Sequence, residues 1–270
     1  MIKYGVLKIL KFSSLSMTDN INISLVIPCY NEEVNIQKGV LDKIGNFTSK
    51  DSRFSEILIV DDGSTDNSRE IIKKLYLSKY PKFKLINNPH QGKAFTVIKG
   101  IKNAKGEYVL FSDIDLATPL EEADKLISQT KKGYEIIIGS RSTQRKGAPF
   151  LRKAMALGFI IIRNFIIGLK GIRDTQCGFK MFNTEIAKNI IQRLIVFKNN
   201  KDIKGSSISA GFDLEFIFLA QKYGYKIKEV PVIWKHVETK NVNFLNDSIE
   251  TLKDILKIKY YDLKKKYSKK

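Results

Sequence analysis

The segment FSDIDLATP (111–119) sets Asp113 and Asp115 two positions apart at the end of an apolar run. On a strand, residues i and i+2 share a face and lie about 6.5 Å apart along the chain. That spacing keeps the two carboxylates from gripping one ion symmetrically unless the strand end bends. It suits a division in which Asp115 takes a divalent cation and Asp113 takes a ribose or a coordinated water. Mg2+ is held by one or two protein carboxylates and completes its shell with water and phosphate oxygens. A D-x-D at a strand end therefore fits a nucleoside diphosphate with its metal. VDDGSTDNS (60–68) ends another apolar run with two aspartates and a glycine turn. There Asp62 can accept from a base or ribose, while Ser64, Thr65 and Asp66 can cap a following helix. IPCYNEE (27–33) adds an exit fixed by Pro28, a ring at Tyr30 able to stack on a base, and Glu32. GSR (139–141) adds Arg141, whose planar fork suits phosphate.

The elements that must position these residues are legible around them. ISLVIP (23–28), EILIVDD (56–62), FKLIN (83–87), EYVLFSD (107–113) and EIIIGS (135–140) read as strands, nearly continuously apolar as parallel strands covered on both faces are. Helical patterns fill 32–45, 66–79, 92–104 and 119–131, the last opening at Thr118-Pro119. This alternation predicts an α/β domain with a mostly parallel sheet, in which ligands bind beyond the carboxyl ends of the strands. Tyr30, Glu32, Asp61, Asp62, Asp113, Asp115, Ser140 and Arg141 all fall at such ends, so one pocket collects them. Further on, the sequence predicts helices over 184–196 and 211–225, a strand over 227–234, and a C-terminal helix from about 244. That last helix carries apolar residues at 245, 249, 252, 256, 260 and 263. Segments 145–150 and 198–206 read as loops.

The chain has 270 residues, enough for a large core, and a formal net charge of +19 that calls for an anionic partner. Two cysteines and two histidines, far apart, give no zinc spacing and no disulfide framework, and a reducing compartment is the default. No apolar run reaches the roughly 18 residues of a membrane-spanning helix. The opening MIKYGVLKILKF is basic and amphipathic, and LRKAMALGFIIIRNFIIGLKGI (151–172) is apolar but studded with Arg152, Lys153, Arg163 and Lys170. The latter suits either a core segment or one lying on anionic lipid. The lysine-rich end, KIKYYDLKKKYSKK, can add attraction to such a surface. Nucleic acid is excluded as the partner: the lysines follow no recognition motif, and the acidic strand ends would repel its phosphates.

Taken in order, P-x-Y-N-E, V-D-D-G-S-T-D and D-x-D resemble the family 2 inverting glycosyltransferases of GT-A fold, over about residues 22–235. RDTQCGFKMF (173–182) and GFDLEFIFLAQKYGYKIKEVPVIWKH (211–236) are similar to the polyprenyl-phosphate sugar transferases, the dolichyl-phosphate β-glucosyltransferases above all. The resemblance implies a Rossmann-like nucleotide-sugar fold with a mostly parallel mixed sheet over 21–240, with 145–180 facing the acceptor and membrane. Around it lie an N-terminal extension (1–20) and an amphipathic C-terminal helix with a basic tail (241–270). It implies a UDP-glucose donor, a polyprenyl-phosphate acceptor, Mg2+ or Mn2+, and a peripheral place on the cytoplasmic face of a membrane. Pro28, Tyr30, Glu32 and Asp62 would hold uridine; Asp113 and Asp115 would hold the ribose and the metal–diphosphate; Lys93 and Arg141 would meet the phosphates. On the acceptor side it implies Asp174, with Arg173 and Lys180. Two positions depart from relatives: Ala117 stands where mannosyltransferases carry a glutamine, and Ala94 stands where many relatives have glycine.

Inverting transfer is one displacement, and a phosphate monoester, largely dianionic at neutral pH, needs no base. Asp174 is therefore expected to orient Arg173 and Lys180 rather than to take a proton. GDP-mannose remains an alternative donor. A hydroxyl acceptor remains the other alternative, and Asp213 or Glu215 would then supply the base.

Overall fold

The computed structural model describes residues 21–141, 150–197, 210–235 and 244–268, with backbone alone at 150–157, 159, 210 and 244–248. The N-terminal extension, the loops expected at 145–150 and 198–206 save Phe150, and His236 lie outside the described residues, as do the side chains of Arg152 and Lys153.

Seven strands form one sheet: β1 (Ile23–Cys29), β2 (Phe54–Asp61), β3 (Phe83–Asn87), β4 (Tyr108–Ser112), β5 (Ile136–Ser140), β6 (Phe179–Asn183) and β7 (Ile227–Pro231). Their order is β3-β2-β1-β4-β6-β5-β7. The first four of that row pair in parallel, as do β5 and β7. β6 runs antiparallel between β4 and β5, and its Lys180 stands opposite Phe111 and Ile138. The sequence reading places the five N-terminal strands and β7 within a residue or three, and does not anticipate β6.

Helices cover both faces, and two apolar clusters fill the layers between. One gathers Val26, Leu58, Val97, Ile98, Phe182 and Phe216; the other gathers Leu25, Ile57, Leu41, Ile44, Leu126 and Phe179. The split follows the pleat: alternate residues of each strand point to opposite helical layers. The helix expected over 32–45 is two, Glu33–Gln37 and Val40–Lys50, parted at Gly39, whose φ of 77° is left-handed. The helix expected from 66 starts at Ser68 and contains a π-helical turn over Ile72–Tyr76. Pro119 precedes a single 3-10 turn, Leu120–Glu122, before the helix Ala123–Thr130.

The C-terminal part is stitched to the core by one carboxylate. Glu215, on the helix Ala210–Lys222, is fully buried and accepts from the backbone N–H groups of Ile195, Val196 and Phe197 at 2.6–2.9 Å. The Tyr267 hydroxyl donates to the same carboxylate at 2.7 Å. All these donors face an acceptor-only group, so Glu215 holds the fold and is not placed as a catalytic base. Glu215→Gln would set an amide donor among those donors. It should lower unfolding stability by about 3 kcal/mol, measured by urea denaturation, and Tyr267→Phe by about 1 kcal/mol.

Candidate active site

The loops after β1 and β2 are clasped together. Asn31, at a left-handed φ of 53°, accepts from Thr65 N–H at 2.8 Å, and its own N–H donates to Ser64 Oγ at 3.0 Å. Ser68 Oγ accepts from Glu32 N–H, Asp66 from Glu33 N–H, and the Glu33 carboxylate from Asn67 N–H. Ser64 and Thr65, read as helix caps, act instead as cross-links between loops, while Asp66 both joins the loops and accepts from Ser68 N–H at the helix start at 3.0 Å. Asn67, which precedes the helix starting at Ser68, makes no capping bond of its own.

Asp61 and Asp62 have different tasks. Asp61 is buried and binds Arg69 through Nε and Nη2. Asp62 organises the loop after β3: its carboxylate accepts from Gln91 and Gly92 N–H, from Asn88 Nδ2 at 2.8 Å, and sits 3.0 Å from His90 Nδ1. Tyr30 stacks on the His90 ring at 4.2 Å, so the ring expected to meet a base lies in a two-ring stack. Pro28 and Glu32 are partly exposed at the same rim, with Asn35 donating to Glu32.

Charges gather beyond β4. Lys93, at the start of the helix Lys93–Asn103, places Nζ 2.6 Å from Asp113 Oδ1. The approach is off the hydrogen-bonding direction, so this buried oxygen has a charge beside it and no donor aligned with it. Lys180 is buried and pairs with Asp213 at 2.7 Å. The ammonium groups of Lys93 and Lys180 lie 5.6 and 5.8 Å from the centre of the Phe111 ring. Burial and the neighbouring Asp113 charge push the Asp115 carboxyl above the ordinary aspartate range. Burial also raises Asp213, against the pull of Lys180. For Lys93 burial opposes the charge, yet Asp113 together with Asp213 and Asp115 outweighs it and holds the proton on.

These residues suit a divalent cation. A desolvated Asp115 with a like charge nearby, and an Asp113 oxygen lacking an aligned donor, are both relieved by a positive ion. No group of three or more His, Cys, Asp or Glu able to hold a metal occurs among the described residues. Two carboxylates are what Mg2+ or Mn2+ needs when phosphate and water supply the remaining ligands. Gly178 makes room for this arrangement. A Cβ there would come 2.0 Å from Asp113 Oδ2, and its carbonyl accepts from Asp113 N–H at 3.1 Å.

On the other side of the cleft, Arg141 and Asp174 form a two-pronged pair, both contacts 2.8 Å, with Arg141 N–H adding a third at 3.0 Å. Burial would raise the Asp174 carboxyl, yet Arg141 outweighs it and holds it below the ordinary range. Asp174 thus orients Arg141, not Arg173 and Lys180 as expected. Lys180 is committed to Asp213, and among the described residues the exposed Arg173 is held through its backbone. Glu229 of β7, which sequence reasoning missed, accepts from the N–H groups of Arg173 and Asp174 at 3.0 and 2.7 Å. Arg163, expected at a cationic rim, is buried and donates to the Ile172 carbonyl and to Thr175 Oγ1. Trp234 lies 5.9 Å from the Arg141 guanidinium, and Lys235 N–H ties the same segment to the Ala117 carbonyl at 2.8 Å. Gln176 and Gly178, also missed, line a small cavity with Lys93, Phe111 and Asp213. The signal the sequence offers is Gly178, four positions after Asp174 and directly before FKMF. Cys29 and Cys177 are buried thiols, Cys177 pushed up to about 11 by burial, and neither is a nucleophile at neutral pH.

Residues 24–191 match the family described as Glycosyl transferase family 2. The chain belongs to that family. It is 33% identical over 260 residues to the dolichyl-phosphate beta-glucosyltransferase of Dictyostelium discoideum, covering 90% of this chain and 75% of that protein. It is 31% identical to the enzyme of that name from Saccharomyces cerevisiae over 89% of this chain and 75% of the relative. The Homo sapiens enzyme matches at 31% over 80% and 68%. Among solved structures, glucosyl-3-phosphoglycerate synthase from Mycobacterium tuberculosis in complex with UDP superposes with a TM-score of 0.61 at 18% identity, covering 89% and 80%. Mannosyl-3-phosphoglycerate synthase from Rubrobacter xylanophilus gives 0.62 at 15%, covering 88% and 73%. The protein is a glycosyltransferase with a GT-A-like α/β fold.

Two outcomes follow from the charges. Gly178→Ala should displace the Asp113 carboxylate and weaken binding of a divalent cation by about tenfold, read by calorimetry with Mn2+, with a smaller effect on melting. The Asp174 carboxyl is depressed in the folded state, so its pairing stabilises above its unfolded pKa of about 3.9 and is lost as pH falls through the lower folded value. The stability gap between the parent and Asp174→Asn should therefore stay level from neutral pH down to about pH 5 and close only in stronger acid.

Proposed function

We propose that this enzyme transfers glucose from UDP-glucose to the phosphate of a polyprenyl lipid of the dolichyl type, with inversion at the anomeric carbon. The observation that carries this reading is the Arg141–Asp174 pair. The acceptor-side carboxylate is already committed, its proton affinity lowered by the guanidinium it binds. A site whose acidic group is spent on orienting an arginine suits an acceptor that arrives as an anion. The names of the relatives, at 30–33% identity over most of the chain, support the same acceptor class and sugar.

In this reading Pro28, Tyr30, Glu32 and Asp62 border the uridine, and Asp113 and Asp115 hold the ribose and metal–diphosphate. Lys93 and Arg141 face the diphosphate, and exposed Arg173 meets the lipid phosphate. A divalent cation, Mg2+ or Mn2+, supplies neutralisation of the departing diphosphate; Mn2+ accompanies UDP in one structural neighbour, a glucosyl-3-phosphoglycerate synthase complex. An acceptor phosphate oxygen bonds to the anomeric carbon as its bond to the diphosphate breaks, and UDP leaves with the electron pair. No proton moves. The chain's own contribution is orientation and charge: Asp174 and Glu229 hold the 173–174 backbone and Arg141 in place, and Lys93 offsets Asp113. Among the described residues no helix is long and apolar enough to cross a membrane. We place the enzyme peripherally on the cytoplasmic face, where its free thiols stay reduced.

A hydroxyl acceptor is the second reading, favoured by one observation: Asp213, raised by burial, lines the same small cavity as Lys93. It would then be the base.

The test is label transfer into vesicles carrying polyprenyl phosphate, with UDP-glucose, UDP-GlcNAc and GDP-mannose offered separately. Lipid-phase label from UDP-glucose alone is expected. Transfer from GDP-mannose would overturn the sugar, and UDP-glucose binding without lipid label would point to a hydroxyl acceptor and Asp213. Asp174→Asn should lower kcat by about a hundredfold yet leave the rise of rate around pH 6, set by the acceptor's second ionisation, where it was. A base role for Asp174 predicts instead that the parent stays active below pH 6 on the monoanionic acceptor and that Asp174→Asn loses that activity.

A further inference from the structure

The C-terminal helix Phe244–Leu263 has two apolar faces, and one of them is uncovered. Thr251, Ile255 and Ile258 are buried against the body of the protein. At about 100° per residue, Ile249, Leu252, Leu256, Tyr260 and Leu263 fall in a stripe about 80° wide on the opposite side. These five are exposed, from 38% at Leu252 to 70% at Leu263. The apolar spacing legible in the sequence is thus the outer face, and the helix is held to the protein by the other one.

The charges beside the stripe decide what covers it. Lys253, Lys257 and Lys264 run along one flank and Lys259 along the other. Glu250 lies beyond the lysine row. Asp254 and Asp262 face the protein, where they pair with Lys257 at 3.6 Å and Lys222 at 2.6 Å. An apolar stripe edged by lysines and free of carboxylates matches the boundary between acyl chains and anionic headgroups, with lysine stems buried and ammonium groups at the phosphates. Lys265 and Lys266, exposed just past the helix, add to the attraction. The helix Phe150–Ile167 packs against this one and exposes Ile161, Ile162 and Phe165, the last 90% accessible.

We propose that the C-terminal helix lies in the plane of an anionic lipid surface, with Ile249, Leu252, Leu256, Tyr260 and Leu263 in the acyl boundary. This deepens the lipid-acceptor reading and rests on it for its purpose. The helix is fastened to Ala210–Lys222, the helix carrying Asp213, by the Lys222–Asp262 pair and by Tyr267 on Glu215. Lipid contact there fixes the orientation of the cleft over the surface that holds the acceptor.

The test reads lipid binding by flotation of the full chain with phosphatidylcholine vesicles, with and without phosphatidylserine, so its result stands apart from that of the transfer assay. The parent should float with the phosphatidylserine vesicles. Leu256→Glu/Leu263→Glu, at exposed positions, should keep its melting temperature and lose about tenfold or more in partitioning. Lys253→Glu/Lys264→Glu, which keeps the stripe, should lose the preference for phosphatidylserine. Flotation of the leucine variant equal to the parent would overturn the proposal. So would a parent dimer that this variant dissociates, since the stripe would then belong to a second copy of the chain.

Discussion

An ammonium group in the middle of a sheet, out of water, has to be paired or lose its charge. Lys180 is in that position. It sits on β6, the one antiparallel strand, between Phe111 of β4 and Ile138 of β5. Asp213 answers it from the helix Ala210–Lys222, and the pair draws that helix onto the sheet beside the cleft. Lys93 and Asp113 form a second pair against the same phenyl ring, so two cations and two anions share one small enclosure, with Asp115 adjoining. Removing one partner would leave a buried charge uncompensated, which is why the cluster acts as a unit.

That arrangement leaves the acidic side short of positive charge. Three carboxylates, Asp113, Asp115 and Asp213, face two lysines, and burial, with the Asp113 charge beside it, raises the proton affinity of Asp115. A divalent cation carried in with a diphosphate would correct the balance only while substrate is bound. Across the cleft the logic is reversed: Arg141 and Asp174 neutralise each other before any ligand arrives, and Glu229 fixes the backbone beneath them. One wall is electrostatically incomplete and the other is preorganised. On the proposed reading the incomplete wall takes the metal–diphosphate, while the second wall holds Arg141 and the 173–174 backbone in place for both substrates.

The sequence makes much of this legible because strand ends in α/β sheets are both structurally and chemically marked. Apolar runs that stop at Asp62, Asp113 and Arg141 locate the strands and the cleft together. β6 is missed for a physical reason: Lys180 is the second of its five residues, and a lysine interrupts the apolar pattern by which a buried strand is recognised. Its burial depends on Asp213, some thirty positions away, which no local pattern encodes. For the same reason Arg163 and Lys180 look like surface cations in the sequence and are interior ones in the fold. The partner of Asp174 differs from the expectation: the fold pairs it with Arg141, where the sequence suggests Arg173 and Lys180. Spacing cannot tell which of three cations, Arg141, Arg173 or Lys180, a turn will meet.

On the proposed reading Asp115, with Asp113 beside it, holds the metal of a UDP–metal complex. Crystals grown with UDP and Mn2+ would test this directly through the anomalous signal of manganese. The account predicts one peak within coordinating distance of an Asp115 oxygen and of the diphosphate, with the Lys180–Asp213 pair intact. A peak bound instead by Asp213, or UDP seated with its diphosphate away from Asp115, would contradict it.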